Sequence, residues 1–338
     1  MTDLRIALDA MGGDSAPDAV LQGAVRACSD QVAHPIRPEQ LLLVGDEARI
    51  AAGLDALGGN PGFGVVHASE VIEMGESPAV ALRAKPDSSI AKGIGSVAQG
   101  HAGAFVSMGN TGAVVGASTL GLRTLENVKR PAIAVTLELT GRPLTLLDMG
   151  ANIGPKPEHL LQSAWMGSIH ARHGLGVEAP RVGLLNIGEE ESKGTDLQKE
   201  AYAQLSASGL DFVGNIEGEE LFADRADVVV MDGFTGNVVL KLLEGFAGFM
   251  MGLMLRELKQ HDASWGEAAL ARLKRQIDYS EYGGALLLGV NGVVVIGHGR
   301  SDAGAVANAI AVAAKSLAAG VNERIVRGLA TESTAERA

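Results

Sequence analysis

The stretch Asp227–Leu258 constrains the fold more than any other part of the chain. It opens on the β-branched run Val228–Val230, which reads as a buried parallel strand. A turn through Met231, Asp232, Gly233, Phe234, Thr235, Gly236 and Asn237 follows, and a long apolar helix is expected from Val238. Such an exit aims several backbone N–H groups into one space. The first amides of a helix lack internal partners, and its dipole favours an anion. Lys241, one turn on, can add a full charge if it bends back. An ordinary βα loop in which Gly236 relieves strain explains this one turn equally well, so its weight comes from recurrence.

The pattern does recur. Short apolar runs at Leu4–Leu8, Leu41–Val44, Gly64–His67, Ala104–Ser107, Val182–Asn186, Phe212–Ile216 and Gly292–Ile296 read as strands. Helices are expected from Pro17 to about Ala27, over Glu47–Leu57, from a Ser88 or Ser89 cap to about Gly100, from Pro157 through His170, and from Thr195. A last, alanine-rich helix follows Gly297–Ser301 to about Arg327, and Thr331–Ala338 reads as a frayed tail. Ile133–Leu137 and Leu144–Leu147 look like paired strands around a turn at Thr140–Pro143. Met74–Ser89 reads as polar and irregular, and Tyr282–Asn291 as a glycine-rich loop. The 45 glycines of 338 residues sit at the ends of apolar runs, which indicates tight strand-to-helix turns. Strands alternating with helices predict βαβ units in a doubly wound, mostly parallel sheet, taken as one α/β catalytic domain over residues 1–330.

From Val238 to Leu258 the helix is apolar around nearly its whole circumference, with Leu242, Leu243, Phe246, Phe249, Met250, Met251, Leu253, Met254 and Leu255. Core, a sister subunit or lipid must cover it. Trp265–Ile277 is its expected partner, making residues 238–281 a protruding helical hairpin. A dimer interface is the favoured use, with a shallow membrane contact through the methionine-rich face.

Several function classes drop out. Net charge is −12 with no basic tail, which disfavours nucleic acid as a partner. The single cysteine, Cys28, permits no internal disulfide or zinc cluster and has no activating neighbour in sequence. Met1–Asp3 runs into the first strand without room for a signal peptide, and no apolar run approaches the ~20 residues of a bilayer span, so a cytoplasmic protein is expected. His170 and His173 lack a third ligand, and Glu189–Glu191 reads as a solvated face; no metal or cofactor is expected. There is no G-x-G-x-x-G after the first strand, no P-loop ending and no G-x-S-x-G elbow. What remains is an inventory of small polar loops at strand exits, which in an open sheet can share one crevice. Asn110, Thr111, Asn152, Asn237 and Ser301 supply neutral groups, and Lys193 and Arg300 positive charge. That set suits an anion, and phosphate is the expected one.

Longer motifs sharpen the reading. MGGD at Met11–Asp14, GNTGA at Gly109–Ala113, DMGAN then KPEHLLQ within Asp148–Gln162, LLNIGEEESKG at Leu184–Gly194, GNIEG at Gly214–Gly218, DGFTGNVVLK at Asp232–Lys241 and YGGALLLGVNGVVVIGHGRS at Tyr282–Ser301 run through nearly the whole chain. In that order they resemble the bacterial phosphate acyltransferases of phospholipid synthesis, the PlsX family. The resemblance implies transfer of a long-chain acyl group from acyl carrier protein to inorganic phosphate, giving acyl phosphate. It implies a Rossmann-like three-layer α/β/α fold of the isopropylmalate dehydrogenase and phosphotransacetylase type. It also implies a homodimer, peripheral membrane association and contact with the membrane-bound glycerol-3-phosphate acyltransferase. Carried onto this sequence, it makes Lys193 the residue that neutralises phosphate and Asn237 the one that orients phosphate or holds the carbonyl oxygen. Asp9, Gly12, Gly13, Gly109, Asn110, Thr111, Asn152, Gly236, His298 and Arg300 complete the expected substrate cradle. Phosphate is already an anionic nucleophile and a thiolate a good leaving group, so direct attack on the thioester needs positioning and charge stabilisation, with no serine–histidine pair. Arg256, Lys259, Arg272, Lys274 and Arg275 form the expected basic patch for the acidic carrier. A short-chain phosphotransacylase using coenzyme A is the alternative.

Overall fold

The computed structural model describes residues 5–138, 141–260, 266 and 283–335. In chain order the strands are β1 (Ile6–Asp9), β2 (Leu41–Gly45), β3 (Gly64–His67), β4 (Ala104–Ser107), β5 (Ala132–Glu138) and β6 (Pro143–Leu147). They continue as β7 (Arg181–Leu185), β8 (Asp211–Ile216), β9 (Val228–Val230), β10 (Ala285–Leu288) and β11 (Val293–Ile296). The helices are α1 (Asp18–Ala27), α2 (Glu47–Ala56), α3 (Pro78–Ala84), α4 (Ser89–Ala98) and α5 (Thr111–Gly121). The rest are α6 (Pro157–His170), α7 (Asp196–Ala207), α8 (Gly233–Gln260), α9 (Ala303–Ala319) and α10 (Val321–Ala335).

Two compact units emerge, Met1–Pro131 with Tyr282–Ala338, and Ala132–Glu281. In the first, the strands lie in the order β3-β2-β1-β4-β11-β10, parallel except for β10, which runs antiparallel to β11 with Ala285 opposite Ile296. In the second the order is β5-β6-β9-β7-β8, with β5 and β6 an antiparallel pair and the others parallel. Every residue of β1, β4, β9 and β11 is buried, as strands covered by helices on both sides must be. The fold is thus a mostly parallel, helix-covered α/β architecture, as the alternation of runs predicts.

Four boundaries differ from expectation for identifiable reasons. The region Met74–Ser89 is not wholly irregular: Pro78 opens the short helix α3, and Ser88 caps α4 by accepting from the Ala91 N–H at 3.4 Å. The glycine-rich segment Tyr282–Asn291 contains β10, because Gly283 and Gly284 supply left-handed turns (φ +91° and +81°) that let Ala285–Leu288 enter the sheet. The final helix is two helices bent by 48°, broken at Gly320, which is left-handed at φ +59°, and it runs on to Ala335. Finally, α8 begins at Gly233 rather than Val238. The carboxylate of Asp232 accepts from the N–H groups of Phe234 and Thr235, both at 3.0 Å, and so pulls the turn into the helix.

That helix also corrects the reading that no segment approaches span length. Gly233–Leu258 forms one uninterrupted helix that by length and composition is long and apolar enough to cross a membrane, with almost none of it buried. Lys241 and Glu244 interrupt it in sequence, and they pair with each other at 2.8 Å. The second helix of the expected hairpin, Trp265–Ile277, lies outside the described residues apart from residue 266.

Candidate active site

The expected residues divide between the units. Asn152, Lys193, Gly236 and Asn237 belong to the second, and all of them follow strands that run parallel to one another. The carboxyl ends of β6, β9 and β7 therefore meet along one edge, which gathers the Asp148–Asn152, Asp232–Asn237 and Asn186–Gly194 exits there.

Asp148 organises the first of these loops. Its Oδ1 accepts from the backbone N–H groups of Ile133 (3.0 Å), Gly150 (3.2 Å) and Ala151 (2.9 Å). Its Oδ2 accepts from the Asn152 N–H at 2.7 Å and the Asn152 side-chain amide at 2.8 Å. Burial pushes this carboxyl above its ordinary range, against the pull of those donors. Asn152 is thereby locked in place, and its carbonyl accepts from the Gly233 N–H at 2.9 Å. The start of α8 lies directly on this loop. A Cβ on Gly236 would strike the Asp148 carbonyl oxygen and come within 2.8 Å of the Asp148 carbonyl carbon and 3.1 Å of the Met149 Cα. Only glycine admits so close an approach of two backbones.

One expectation about this turn is overturned. The amides of Gly233, Phe234, Thr235 and Gly236 all have partners within the chain, the last bonding the Asp232 carbonyl at 2.9 Å. Asp232 puts a carboxylate where an anion was expected to sit, so the turn contributes a side chain in place of amides. That side chain is Asn237, exposed and beside Gly150, where a Cβ would lie 3.5 Å from the Asn237 Cβ.

Lys193 stands on the β7 exit, its N–H bonding the Glu190 carbonyl at 3.0 Å and its carbonyl accepting from the Asn186 amide at 3.2 Å. Its ammonium is 3.7 Å from the Glu190 carboxylate, with both groups exposed. So loose a pair contributes little energy and leaves the charge available to a stronger anion.

In the first unit the adjacent parallel strands β1, β4 and β11 bring Asp9, Gly12, Gly13, Gly109, Asn110, Thr111, His298 and Arg300 to one edge. Asp9 is buried and accepts from the Ser107 hydroxyl at 2.7 Å and the Met11 N–H at 3.1 Å. Burial pushes its carboxyl up, opposed by hydrogen bonds from Ser89 and Ser107. Gly12 and Gly109 permit contact between the two loops: a Cβ on Gly12 would come within 2.8 Å of the Gly109 nitrogen. The Asp14 N–H bonds the Gly299 carbonyl at 2.7 Å, which ties in the third loop. Asn110 caps α5, accepting from the Ala113 N–H at 3.0 Å, while its amide donates to the carbonyls of Glu73, Met74 and Glu76 at 3.0–3.3 Å. Its side chain therefore builds the edge, and Thr111 beside it stands exposed at the helix N-terminus. His298 accepts from the Arg300 N–H at 3.1 Å, and the Arg300 side chain is exposed.

Sequence reasoning missed Asp148 and Asp232 as organisers, although both occupy the motifs that were singled out. An acidic residue two to four positions before a run of small residues was the available signal. Of the expected basic patch, Arg256 is exposed on α8; the Lys259 side chain and residues Arg272, Lys274 and Arg275 lie outside the described residues. Among the described residues no three His, Cys, Asp or Glu side chains gather to hold a metal ion. Burial, with Glu39 nearby, pushes the Cys28 thiol up to about 11, far from nucleophilic use.

The sequence model of a family described as "Fatty acid synthesis protein" matches residues 4–324. A phosphate acyltransferase of Pelotomaculum thermopropionicum is 46% identical over 322 residues, covering 93% of this chain and 92% of its own length. One of Heliobacterium modesticaldum is 47% identical, covering 93% and 94%. The chain belongs to the phosphate acyltransferase family of enzymes. Solved structures with the same fold include a phosphotransacetylase from Streptococcus pyogenes, with a TM-score of 0.60, 16% identity and 94% of each chain covered. EutD phosphotransacetylase from Staphylococcus aureus is similar, at a TM-score of 0.59 and 15% identity over 93% and 94%. In this phosphate acyltransferase-family chain, the Met11–Asp14, Gly109–Ala113, Asp148–Asn152 and Asp232–Asn237 motifs are thus strand exits, with Gly12 and Gly236 at close backbone contacts and the Asp148 and Asp232 carboxylates accepting backbone N–H groups.

Proposed function

We propose that this enzyme makes acyl phosphate from a long-chain acyl-[acyl carrier protein] and inorganic phosphate, feeding phospholipid synthesis. The observation that carries the reading is the common strand-end edge of Lys193, Asn237 and Asn152 in a member of the phosphate acyltransferase family. Lys193 neutralises phosphate and Asn237 orients it or holds the developing oxyanion. Phosphate attacks the thioester carbonyl, the tetrahedral intermediate collapses, and the carrier leaves as thiolate with no acyl-enzyme. In the first unit, Arg300 and His298 are the proposed substrate contacts beside the glycine loops.

The carrier and its acyl chain are assigned to α8 with Arg256, and the same apolar face to a homodimer and to peripheral contact with the cytoplasmic membrane surface. Its exposed row of Phe234, Val238, Leu242, Phe246 and Phe249 supports this use. The membrane-bound glycerol-3-phosphate acyltransferase is the proposed recipient partner. Phosphate-dependent release of free carrier thiol tests the reading. Lys193→Ala and Asn237→Ala should each lower turnover by ~100-fold or more, and near-normal kinetics from both refutes the assignments. The fold likeness to phosphotransacetylases favours one second reading, a short-chain enzyme using coenzyme A. Preference for acyl-CoA over acyl carrier protein would establish it.

A further inference from the structure

We infer that Asn215 is a positioning residue for Lys193, an inference that rests on the assignment of Lys193 to phosphate. The GNIEG motif at Gly214–Gly218 carries no role in the chemistry above. In the structure β8 pairs with β7 through a register shift: Phe212 lies opposite Val182, yet Asn215 lies opposite Leu184. Two residues, 213 and 214, therefore face the single residue Gly183, and Gly214 takes the left-handed φ of +93° that such a bulge uses. A bulge re-aims the side chain that follows it.

Here that side chain is Asn215, only 2% exposed. Its amide donates to the Glu190 carbonyl at 3.0 Å and to the Glu189 carbonyl at 3.4 Å. The Glu190 carbonyl is also the acceptor for the Lys193 N–H at 3.0 Å, so one oxygen joins the two residues. Asn215 Oδ1 is buried without a hydrogen-bond partner, so its polar contribution lies wholly in the two donated bonds. Arg225 holds the same segment from outside, bonding the Glu189 carboxylate at 2.6 Å and the Glu220 carboxylate. Two anchors thus grip Glu189 and Glu190, the consecutive residues three and four positions before Lys193. A lysine is a point charge on a flexible stem, so the placement of its backbone sets the volume that the ammonium sweeps. Fixing the Glu190 turn narrows that volume to the edge shared with Asn237.

The test is a mutant cycle on phosphate kinetics. Asn215→Asp keeps the size but turns an oxygen toward two carbonyl oxygens. It should lower kcat/KM for phosphate by at least ~30-fold while the KM for acyl thioester changes by less than ~2-fold. In a Lys193→Ala background the same change should cost less than ~3-fold, because a positioning effect disappears with the group it positions. Arg225→Gln, a partly exposed site that keeps the test open if Asn215→Asp fails to fold, should show a smaller loss that vanishes in the same background. If Lys193→Ala is crippled but the Asn215 or Arg225 losses multiply in full upon it, or are absent in folded protein, this inference is overturned alone. If Lys193→Ala itself is near normal, the phosphate assignment falls and takes the inference with it.

Discussion

Gly236→Ala is the sharpest perturbation of the proposed phosphate edge. An alanine in a helix interior normally gains about 1 kcal/mol over glycine. At Gly236 the new methyl would meet the Asp148 carbonyl oxygen, the carbonyl carbon at 2.8 Å and the Met149 Cα at 3.1 Å. All three are main-chain atoms, held by the five N–H donors around the Asp148 carboxylate, so no side chain can swing away. Overpacking of this kind costs typically about 1–3 kcal/mol, and a main-chain collision belongs at the upper end, leaving a net loss of about 2 kcal/mol. The strain can relax only by moving α8 away from the Asp148–Asn152 loop, which carries Asn237 away from Gly150. A shift near 1 Å at a catalytic group costs about 100-fold in rate. Gly95→Ala is the control, since beyond its chain neighbours and the local backbone of its own helix α4 nothing lies within 4 Å of the new methyl. Denaturant unfolding and phosphate-dependent thiol release should show Gly236→Ala destabilised and nearly inactive, and Gly95→Ala active and slightly stabilised. A Gly236→Ala enzyme of parental stability and rate refutes the close-contact argument.

Other tests follow from charge and exposure. Asp227 is buried, which raises its carboxyl, but hydrogen bonds and charge from Arg181 with Arg142 beyond more than offset this and hold it below the ordinary range. Its folded value is depressed, so its stabilisation is full above the unfolded value of about 3.9 and is lost as pH falls through the folded one. Arg181→Ala should cost about 3 kcal/mol near neutrality and flatten that acid limb; an unchanged pH–stability curve refutes the pairing. Cys28 in folded protein should react with a disulfide reagent at pH 8 about 100-fold slower than in denatured protein, and equal rates would contradict its raised thiol value. Leu242→Glu with Phe249→Glu removes side chains 68% and 61% exposed, so the fold should survive. Vesicle binding or the dimer mass should be lost, and retention of both would mean that this face is not a covered surface.

What was legible in the sequence follows local rules. Buried parallel strands are short and apolar, which marks Ala104–Ser107 and Val228–Val230 at their observed limits, and the half-exposed edge strand Gly64–His67 reads the same way. Pro157 and the pair Ser88 and Ser89 announced helix starts because a missing N–H or a hydroxyl acceptor fits the first turn, and the structure makes Ser88 the cap. Motif order carried the family. Other features were hidden because they depend on which of several candidate partners a backbone group meets. The strand Ala285–Leu288 is paired antiparallel with β11, with which it exchanges ladder hydrogen bonds. The amides of the Asp232–Asn237 turn could be judged open or occupied only once Asp232 and the Asn152 carbonyl were placed against them. Sequence fixes which backbone groups need partners; tertiary structure decides which partners arrive, because burial makes every unpaired group costly and the nearest acceptor takes it.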